Sequence, residues 1–369
     1  MKLRLSFAFT FLILFSSIIV AAQSNQNIIG IVVDERGQPV KSVTVFISGT
    51  QQLTITEDDG HFQFVSLNKG AYHVSATMLG YEQYNNDIVL NNTTINLQIV
   101  LKIKSIALNE VRIGSGDKWA EFYRIFAGQF LGTSKNAEDC KILNPKALSF
   151  DYSKKTGLLT AHADRFIIIE NKRLGYRIRY LLKEFSYSAL NNRTLYYGDT
   201  NFEELEGSVN TKKMWARNRL EVYQGSMLHF LRSVFSKKVL ANGFITHKLL
   251  SDMPAALDES TQISVEAQPL NYDTLTSHTD TSFVQFEAPM FYLVYNPKKA
   301  SGLKTTGTPA TNEVLIDEEG TIIKLPLKKA VLDKKGSYTD YRAFLLRGKM
   351  AKLRIADLLP FEYQPPGNH

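Results

Sequence analysis

The sequence predicts a mainly β protein: a seven-stranded antiparallel β-sandwich near the N-terminus, followed by a larger β-rich α+β domain. Short runs of alternating apolar residues fill residues 28–103, and clusters of Gly, Asp, Pro and Asn separate those runs. The remaining two thirds mixes such runs with two stretches of helical periodicity. With 369 residues, the chain is long enough for two or three domains that each bury a core.

The first 22 residues have the composition of a secretory signal peptide. Lys2 and Arg4 form a short positive segment, residues 5–20 are almost entirely apolar, and Ala21-Ala22 supplies the small residues that signal peptidase requires. The apolar run is slightly short for a membrane span, and no positive cluster follows it. We therefore expect export with cleavage after Ala22 and no transmembrane span afterwards, the alternative being an uncleaved N-terminal anchor.

Cysteine usage limits how the exported chain is anchored and stabilised. The single cysteine, Cys140, lies far from the cleavage site, so that site offers no thiol for lipid attachment and no internal disulfide can form. We expect Cys140 to be inert, because no recognisable partner motif accompanies it. The predicted domains must therefore be stabilised by their hydrophobic cores.

Residues 28–103 carry the pattern of the sandwich in their turns. Asp59-Gly60 separates two β-rich runs and predicts a hairpin, since Gly tolerates φ > 0. The ordered elements are Gly30-x-Val32-x-Asp34, Gly37-x-Pro39-Val40, Val43-x-Val45-x-Ile47-x-Gly49-Thr50, Gly60-x-Phe62-x-Phe64, Gly70-x-Tyr72-x-Val74 and Gly80-Tyr81. This order resembles the carboxypeptidase regulatory-like domain, in the form common in Bacteroidetes-type exported proteins. The resemblance covers about a fifth of the chain and implies a non-catalytic module attached to something else.

Residues 104–116 form a predicted linker, and residues 117–369 form the second domain. Leu108-Asn109-Glu110-Val111 resembles the segment that follows this module in TonB-dependent outer-membrane receptors. About 250 residues remain, too few for a barrel of about 22 strands with about ten residues each, so we do not expect a receptor. Apolar residues at helical spacing predict helices near residues 118–130 and 212–238. Residues 215–232 resemble only a segment of uncharacterised proteins with the same N-terminal module, which implies no activity.

Residues 212–238 are strongly basic, with seven Lys and Arg against Glu221 alone. Gly225-Ser226 is predicted to interrupt the helix, with Ser226 as the N-cap of its second half. Spacing of three then places Ser226, His229 and Arg232 on one face beside a helix N-terminus, which favours anions. The hypothesis is a site for an anionic ligand, and the alternative is an amphipathic helix with a solvated basic face. The candidate ligand-binding residues are Arg219, Tyr223, Ser226, His229 and Arg232.

No catalytic motif stands out in the chain. None of its seven histidines has Glu three residues on, so the His-x-x-Glu zinc site of metallocarboxypeptidases is absent, as is His-Glu-x-x-His. A Gly-x-Ser-x-Gly elbow, a P-loop and a Gly-x-Gly-x-x-Gly loop are absent too. Ser226 and His229 could pair as nucleophile and base, but no acidic group to orient them can be assigned. We expect no catalytic residues, no metal and no cofactor.

Together these patterns predict a non-enzymatic extracytoplasmic binding or scaffolding protein of the cell envelope, periplasmic or associated with the outer membrane or cell surface. The expected partner is an anionic envelope glycan or lipid, or another envelope protein, and no nucleic acid is expected. The alternative is a hydrolase of envelope glycans or peptides with no recognisable motif. Convergent buried carboxylates or histidines with perturbed pKa in one cleft would favour the hydrolase.

Overall fold

The computed structural model describes residues 26–104, 117–253, 261–278, 280–302, 311–315 and 319–366. The predicted signal peptide and residues 105–116 of the predicted linker lie outside the described residues. Export, cleavage and the linker therefore stay predictions.

The N-terminal sandwich is confirmed, with seven strands in two sheets ordered β4-β1-β7 and β3-β2-β5-β6. Its inward-facing side chains form one core within residues 28–101, in which Val32, Val45 and Val74 are fully buried. The strands are β1 (Gln26–Asp34), β2 (Thr44–Ile47), β3 (Leu53–Ile55), β4 (His61–Leu67), β5 (Gly70–Thr77), β6 (Tyr84–Leu90) and β7 (Ile95–Leu101).

Two details of the sandwich differ from the sequence prediction. The pair β1 and β7 is parallel, so the sandwich is not antiparallel throughout. Asp59-Gly60 forms a turn but not a hairpin, because β3 and β4 belong to different sheets and the turn crosses between them. Gly60 has φ +75°, and a Cβ there would lie 2.6 Å from the Val32 carbonyl oxygen. Glycine is therefore required at position 60, although the turn connects two sheets rather than two strands of a hairpin.

The first half of the C-terminal region packs a helix on a six-stranded sheet. Helix α1 (Asp117–Leu131) agrees with the predicted helix near 118–130, and its Phe126 packs against Phe150 and Phe185 in the core. A short helix α2 (Lys135–Glu138) follows. The strands are β8 (Cys140–Ile142), β9 (Leu148–Ser153), β10 (Leu158–Ala163), β11 (Ile167–Asn171), β12 (Tyr176–Ser188) and β13 (Arg193–Glu204).

The second half begins with the two helices of the basic segment, α3 (Val209–Tyr223) and α4 (Met227–Phe235). Behind them lie a six-stranded sheet ordered β19-β15-β14-β18-β20-β22 and a three-stranded sheet ordered β16-β17-β21. Phe230 of α4 packs against Phe286 and Phe291 in a second core. The strands are β14 (Phe244–Leu249), β15 (Gln262–Pro269), β16 (Thr276–His278), β17 (Phe283–Glu287), β18 (Phe291–Tyr295), β19 (Thr311–Leu315), β20 (Gly320–Lys324), β21 (Lys329–Asp333) and β22 (Leu345–Gly348), with short helices α5 (Tyr272–Leu275), α6 (Pro297–Ala300) and α7 (Lys349–Lys352).

After α7 the chain runs back over the first half towards the sandwich, and we call residues 354–364 the C-terminal strap. Ile355 is buried in the first core. Asp357 accepts hydrogen bonds from Ser134 Oγ at 2.8 Å and Asn136 Nδ2 at 2.7 Å. The strap therefore connects the last part of the C-terminal region to the segment around α2, near the beginning of that region. No helix of the described residues is long and apolar enough to cross a bilayer.

Candidate functional site

The loop of residues 48–52, here the junction loop, connects β2 to β3 and lies between β13 and the strap. The Gly49 amide donates to the Thr200 carbonyl at 2.7 Å, and the Gly49 carbonyl accepts from the Phe361 amide at 2.8 Å. The Phe202 amide donates to the Thr50 carbonyl at 2.9 Å. The sandwich is thus joined to the C-terminal region by main-chain hydrogen bonds on both sides of one loop.

Five side chains beside this loop form a polar group that we call the junction cluster. Asp199 of β13 is buried and accepts from Ser75 Oγ at 2.7 Å, while Lys183 Nζ lies 2.9 Å from it. His73 Nε2 lies 3.2 Å from Asp199, and His73 Nδ1 lies 2.6 Å from Asp87 of β6. The imidazole of the sandwich therefore lies between one carboxylate of its own module and one of the C-terminal region.

The geometry favours a charged imidazole at His73. Both ring nitrogens face carboxylate oxygens, and only the imidazolium carries an N–H on each nitrogen. Burial, and to a smaller extent the charge of Lys183, would lower the pKa of His73, but the hydrogen bond and charge of Asp199 and the hydrogen bond of Asp87 outweigh them, so the pKa is raised. Burial would likewise raise the pKa of Asp199, but His73 and Lys183 lower it to about 2. The cluster is therefore a network of ionised partners.

A second buried carboxylate joins the two regions at Asp333, which has no exposed surface. It accepts from the amides of Ala71 at 3.1 Å, Lys335 at 2.8 Å and Ser337 at 3.1 Å. Ser337 Oγ donates a hydrogen bond to the Ala71 carbonyl, and Lys335 Nζ lies 3.6 Å from the ring centroid of Tyr72. Burial raises the pKa of Asp333 despite these donors. This contact fixes β5 of the sandwich to the turn after β21.

The junction cluster meets part of the criterion for a hydrolase, because it brings a histidine and carboxylates with perturbed pKa together. Ser75, however, is fully buried and donates to the Asp199 carboxylate rather than to an imidazole, so it is not part of a serine–histidine pair. Burial raises the pKa of the Cys140 thiol to about 12, which leaves little thiolate at neutral pH. No group of three His, Cys, Asp or Glu in the described ranges could hold a metal ion. What the arrangement does is hold two regions together.

The structure places the predicted residues of the basic segment around the strap. Ser226 is the N-cap of α4 and accepts from the His229 amide at 3.2 Å, as predicted. The His229 ring lies 4.7 Å from that of Tyr223, and its Nδ1 accepts from the Gly225 amide. Burial, and then the charge of Arg232, lowers the pKa of His229 to about 4. His229 is therefore neutral at pH 7 and offers no positive charge to an anion.

Both predicted arginines have protein partners. Arg219 donates to the carbonyls of Leu174 and Gly175, and its Nη1 lies 2.6 Å from Glu204. Arg232 Nε donates to the Lys335 carbonyl at 2.9 Å, and its Nη2 donates to the Phe361 carbonyl at 3.1 Å. The anionic ligand stays a prediction, but these arginines hold the strap and the chain before β12 rather than an open basic groove.

Sequence reasoning missed the junction cluster. One indication was present in the sequence of β5. His73 and Ser75 alternate with the buried Tyr72 and Val74, so the outer face of this strand carries polar side chains. Their partner Asp199 lies 124 positions beyond Ser75. Nothing in the chain between them indicates that these positions meet.

Comparison with protein families supports the N-terminal assignment. Residues 28–113 match the family model of the CarboxypepD_reg-like domain, and this confirms the resemblance identified from the sequence. The match begins within β1 and passes beyond β7. No curated protein is significantly similar to the chain in sequence.

Three solved structures illustrate the likeness, which is weak in each case. A cohesin–X-dockerin complex from Acetivibrio cellulolyticus matches at 16% identity over 30% of this chain and 76% of that chain, with a TM-score of 0.18. The Bacillus anthracis TIE protein matches at 11% identity over 50% and 32%, with a TM-score of 0.20. A DUF3823 family protein from Bacteroides ovatus matches at 12% identity over 50% and 83%, with a TM-score of 0.18. At these scores the likenesses carry no conclusion about this chain.

Replacing His73 should remove a pH dependence of stability. The folded pKa of His73 lies above its unfolded value of about 6.5, so its contribution is full below that pH and is lost as pH rises through the folded pKa. The pKa of Asp199 is lowered to about 2, so the contribution of Asp199 is lost only as pH falls towards that value. Urea unfolding between pH 5 and 9 should therefore show wild type losing stability that His73→Gln does not lose.

The matched control for that measurement is His162→Gln. His162 lies 3.0 Å from Asp151, and both residues belong to the same sheet of the C-terminal region. The slope of unfolding free energy against pH should change more in His73→Gln than in His162→Gln, because His73 lies between two carboxylates and His162 lies beside one. An unchanged slope in His73→Gln would contradict the charged bridge.

Arg232→Ala should destabilise the chain by about 1–3 kcal/mol, because it leaves the Lys335 and Phe361 carbonyls without a charged donor. The control is Arg217→Ala, an exposed arginine on α3, which should change stability by less than about 0.5 kcal/mol. Urea unfolding of both variants measures the difference. Equal effects would show that Arg232 is a solvated surface residue.

Proposed function

We propose that the protein is a non-enzymatic extracytoplasmic binding or scaffolding protein of the cell envelope, in which the sandwich is a fixed part of one body. The observation that carries the proposal is the junction. Main-chain bonds at Gly49 and Thr50 and the buried carboxylates of Asp199 and Asp333 hold the module against the C-terminal region. A module held in this way serves to present surfaces in a defined geometry.

The residues with reactive chemistry support a structural role. His73 contacts Asp199 across the junction, while Asp87 pairs with His73 and Lys183 pairs with Asp199 within their own regions. Buried ion pairs of this kind give specificity of arrangement more than net stability, because desolvation offsets most of the attraction. The family match at residues 28–113 adds a module whose resemblance implies no catalysis.

The proposed location follows from the N-terminal sequence. The segment of residues 1–22 directs export, and the mature chain starts at Gln23 in the periplasm or at the outer membrane or cell surface. With one cysteine and no disulfide, the mature chain relies on its cores and on the junction for stability in that compartment.

Fractionation and incubation with envelope material test the proposal. The mature chain should be recovered from the envelope fraction with Gln23 at its N-terminus, and it should sediment with purified peptidoglycan or outer-membrane vesicles. Release of soluble sugars or peptides should stay at the level of a heat-denatured control. Release that rises with protein concentration would contradict the proposal and favour the hydrolase, and recovery from the cytoplasm would contradict the location.

A further inference from the structure

A cleft of about 290 Å³ opens where the junction loop, helix α3 and the strap meet. Gln51 contributes from the sandwich, Tyr176 and Arg219 from the C-terminal region, and Glu362, Tyr363 and Gln364 from the strap. The cleft is therefore complete only when the sandwich is docked. Its volume is close to the lower limit of small-molecule sites, about 300 Å³, so it suits one small ring rather than an extended chain.

The charge of the cleft disfavours an anion. Arg219 is its cation, and all three guanidinium nitrogens are engaged by the Leu174 and Gly175 carbonyls and by Glu204. The guanidinium carbon also lies 3.9 Å from the ring centroid of Tyr176. The carboxylates of Glu204 and Glu362 line the same cleft. The free charge offered to a ligand is thus negative.

Several polar groups of the cleft have unused hydrogen-bonding capacity. Within the described part of the chain, no protein group bonds the side-chain amide of Gln51 or of Gln364. The hydroxyl of Tyr363 is buried and has no partner there either. Each carboxamide and hydroxyl can both donate and accept. Both glutamines are exposed, so a ligand would replace the water at their amides, and only the buried Tyr363 hydroxyl is costly to leave without a partner.

The matching ligand is neutral and carries several groups that both donate and accept. Hydroxyl groups on a saturated ring have these properties. We propose that the cleft binds one neutral sugar ring, such as a terminal or branch residue of an envelope glycan. The inference rests on the proposed binding function and names its ligand class. Gln51 and Gln364 are the residues that form hydrogen bonds with the sugar hydroxyl groups.

A titration with neutral sugars tests the cleft. The mature chain is titrated with the methyl glycosides of glucose, galactose, mannose and N-acetylglucosamine, and binding is measured by saturation-transfer NMR and calorimetry. At least one glycoside should bind saturably, with affinity independent of salt. Gln51→Ala and Gln364→Ala should each weaken that binding about fivefold, the loss expected for a neutral hydrogen bond. Gln63→Ala, an exposed glutamine on β4 outside the cleft, should leave binding unchanged.

Three results would overturn the inference. They are no saturable binding of any neutral glycoside, equal affinity in wild type and both cleft variants, or tighter and salt-dependent binding of glucuronate. The last would instead favour an anionic ligand. A chain that fails this panel but still sediments with envelope material, without releasing products, refutes the cleft alone. Product release refutes the proposed function itself.

Discussion

The arrangement of the whole molecule depends on the close approach of Phe361 to Gly49. Gly49 has φ +77°, and a Cβ there would lie 2.3 Å from the Phe361 ring. Its amide and carbonyl bond β13 on one side and the strap on the other. Only glycine combines this backbone conformation with space for the ring. One residue of the sandwich is therefore held between two parts of the chain that lie about 150 and 310 positions away.

The polar contacts beside Gly49 determine which groups meet when the two regions dock. Docking takes Asp199 and Asp333 out of water, and His73, Ser75 and the Ala71 amide then replace the donors that water supplies to the separated regions. Phe46 of β2 is fully buried and packs 5.3 Å from the Phe166 ring, so separation would also expose apolar surface. Apolar burial drives the association, and the carboxylates determine its geometry.

The sequence predicts local structure well where one element decides the outcome. Alternation identifies the sandwich strands, the spacing of Phe126 and Phe130 identifies α1, and Gly225-Ser226 identifies the break and cap between α3 and α4. Prediction fails where the outcome depends on distant partners. Asp59-Gly60 has the residues of a hairpin, yet the sheet that each flanking strand joins is decided by β1 and β2. The charge of Arg219 suggests an anion site, but the carbonyls that engage it come from residues 174 and 175.

The most direct test of the fixed junction compares Gly49→Ala with Gly37→Ala by hydrogen exchange. Both glycines have positive φ, so both substitutions cost about 1 kcal/mol in backbone strain, but a Cβ at Gly37 has no neighbour within 4 Å. The account predicts that only Gly49→Ala speeds exchange at the Phe202 and Phe361 amides, which bond across the junction. Equal protection of these amides in the two variants would contradict it.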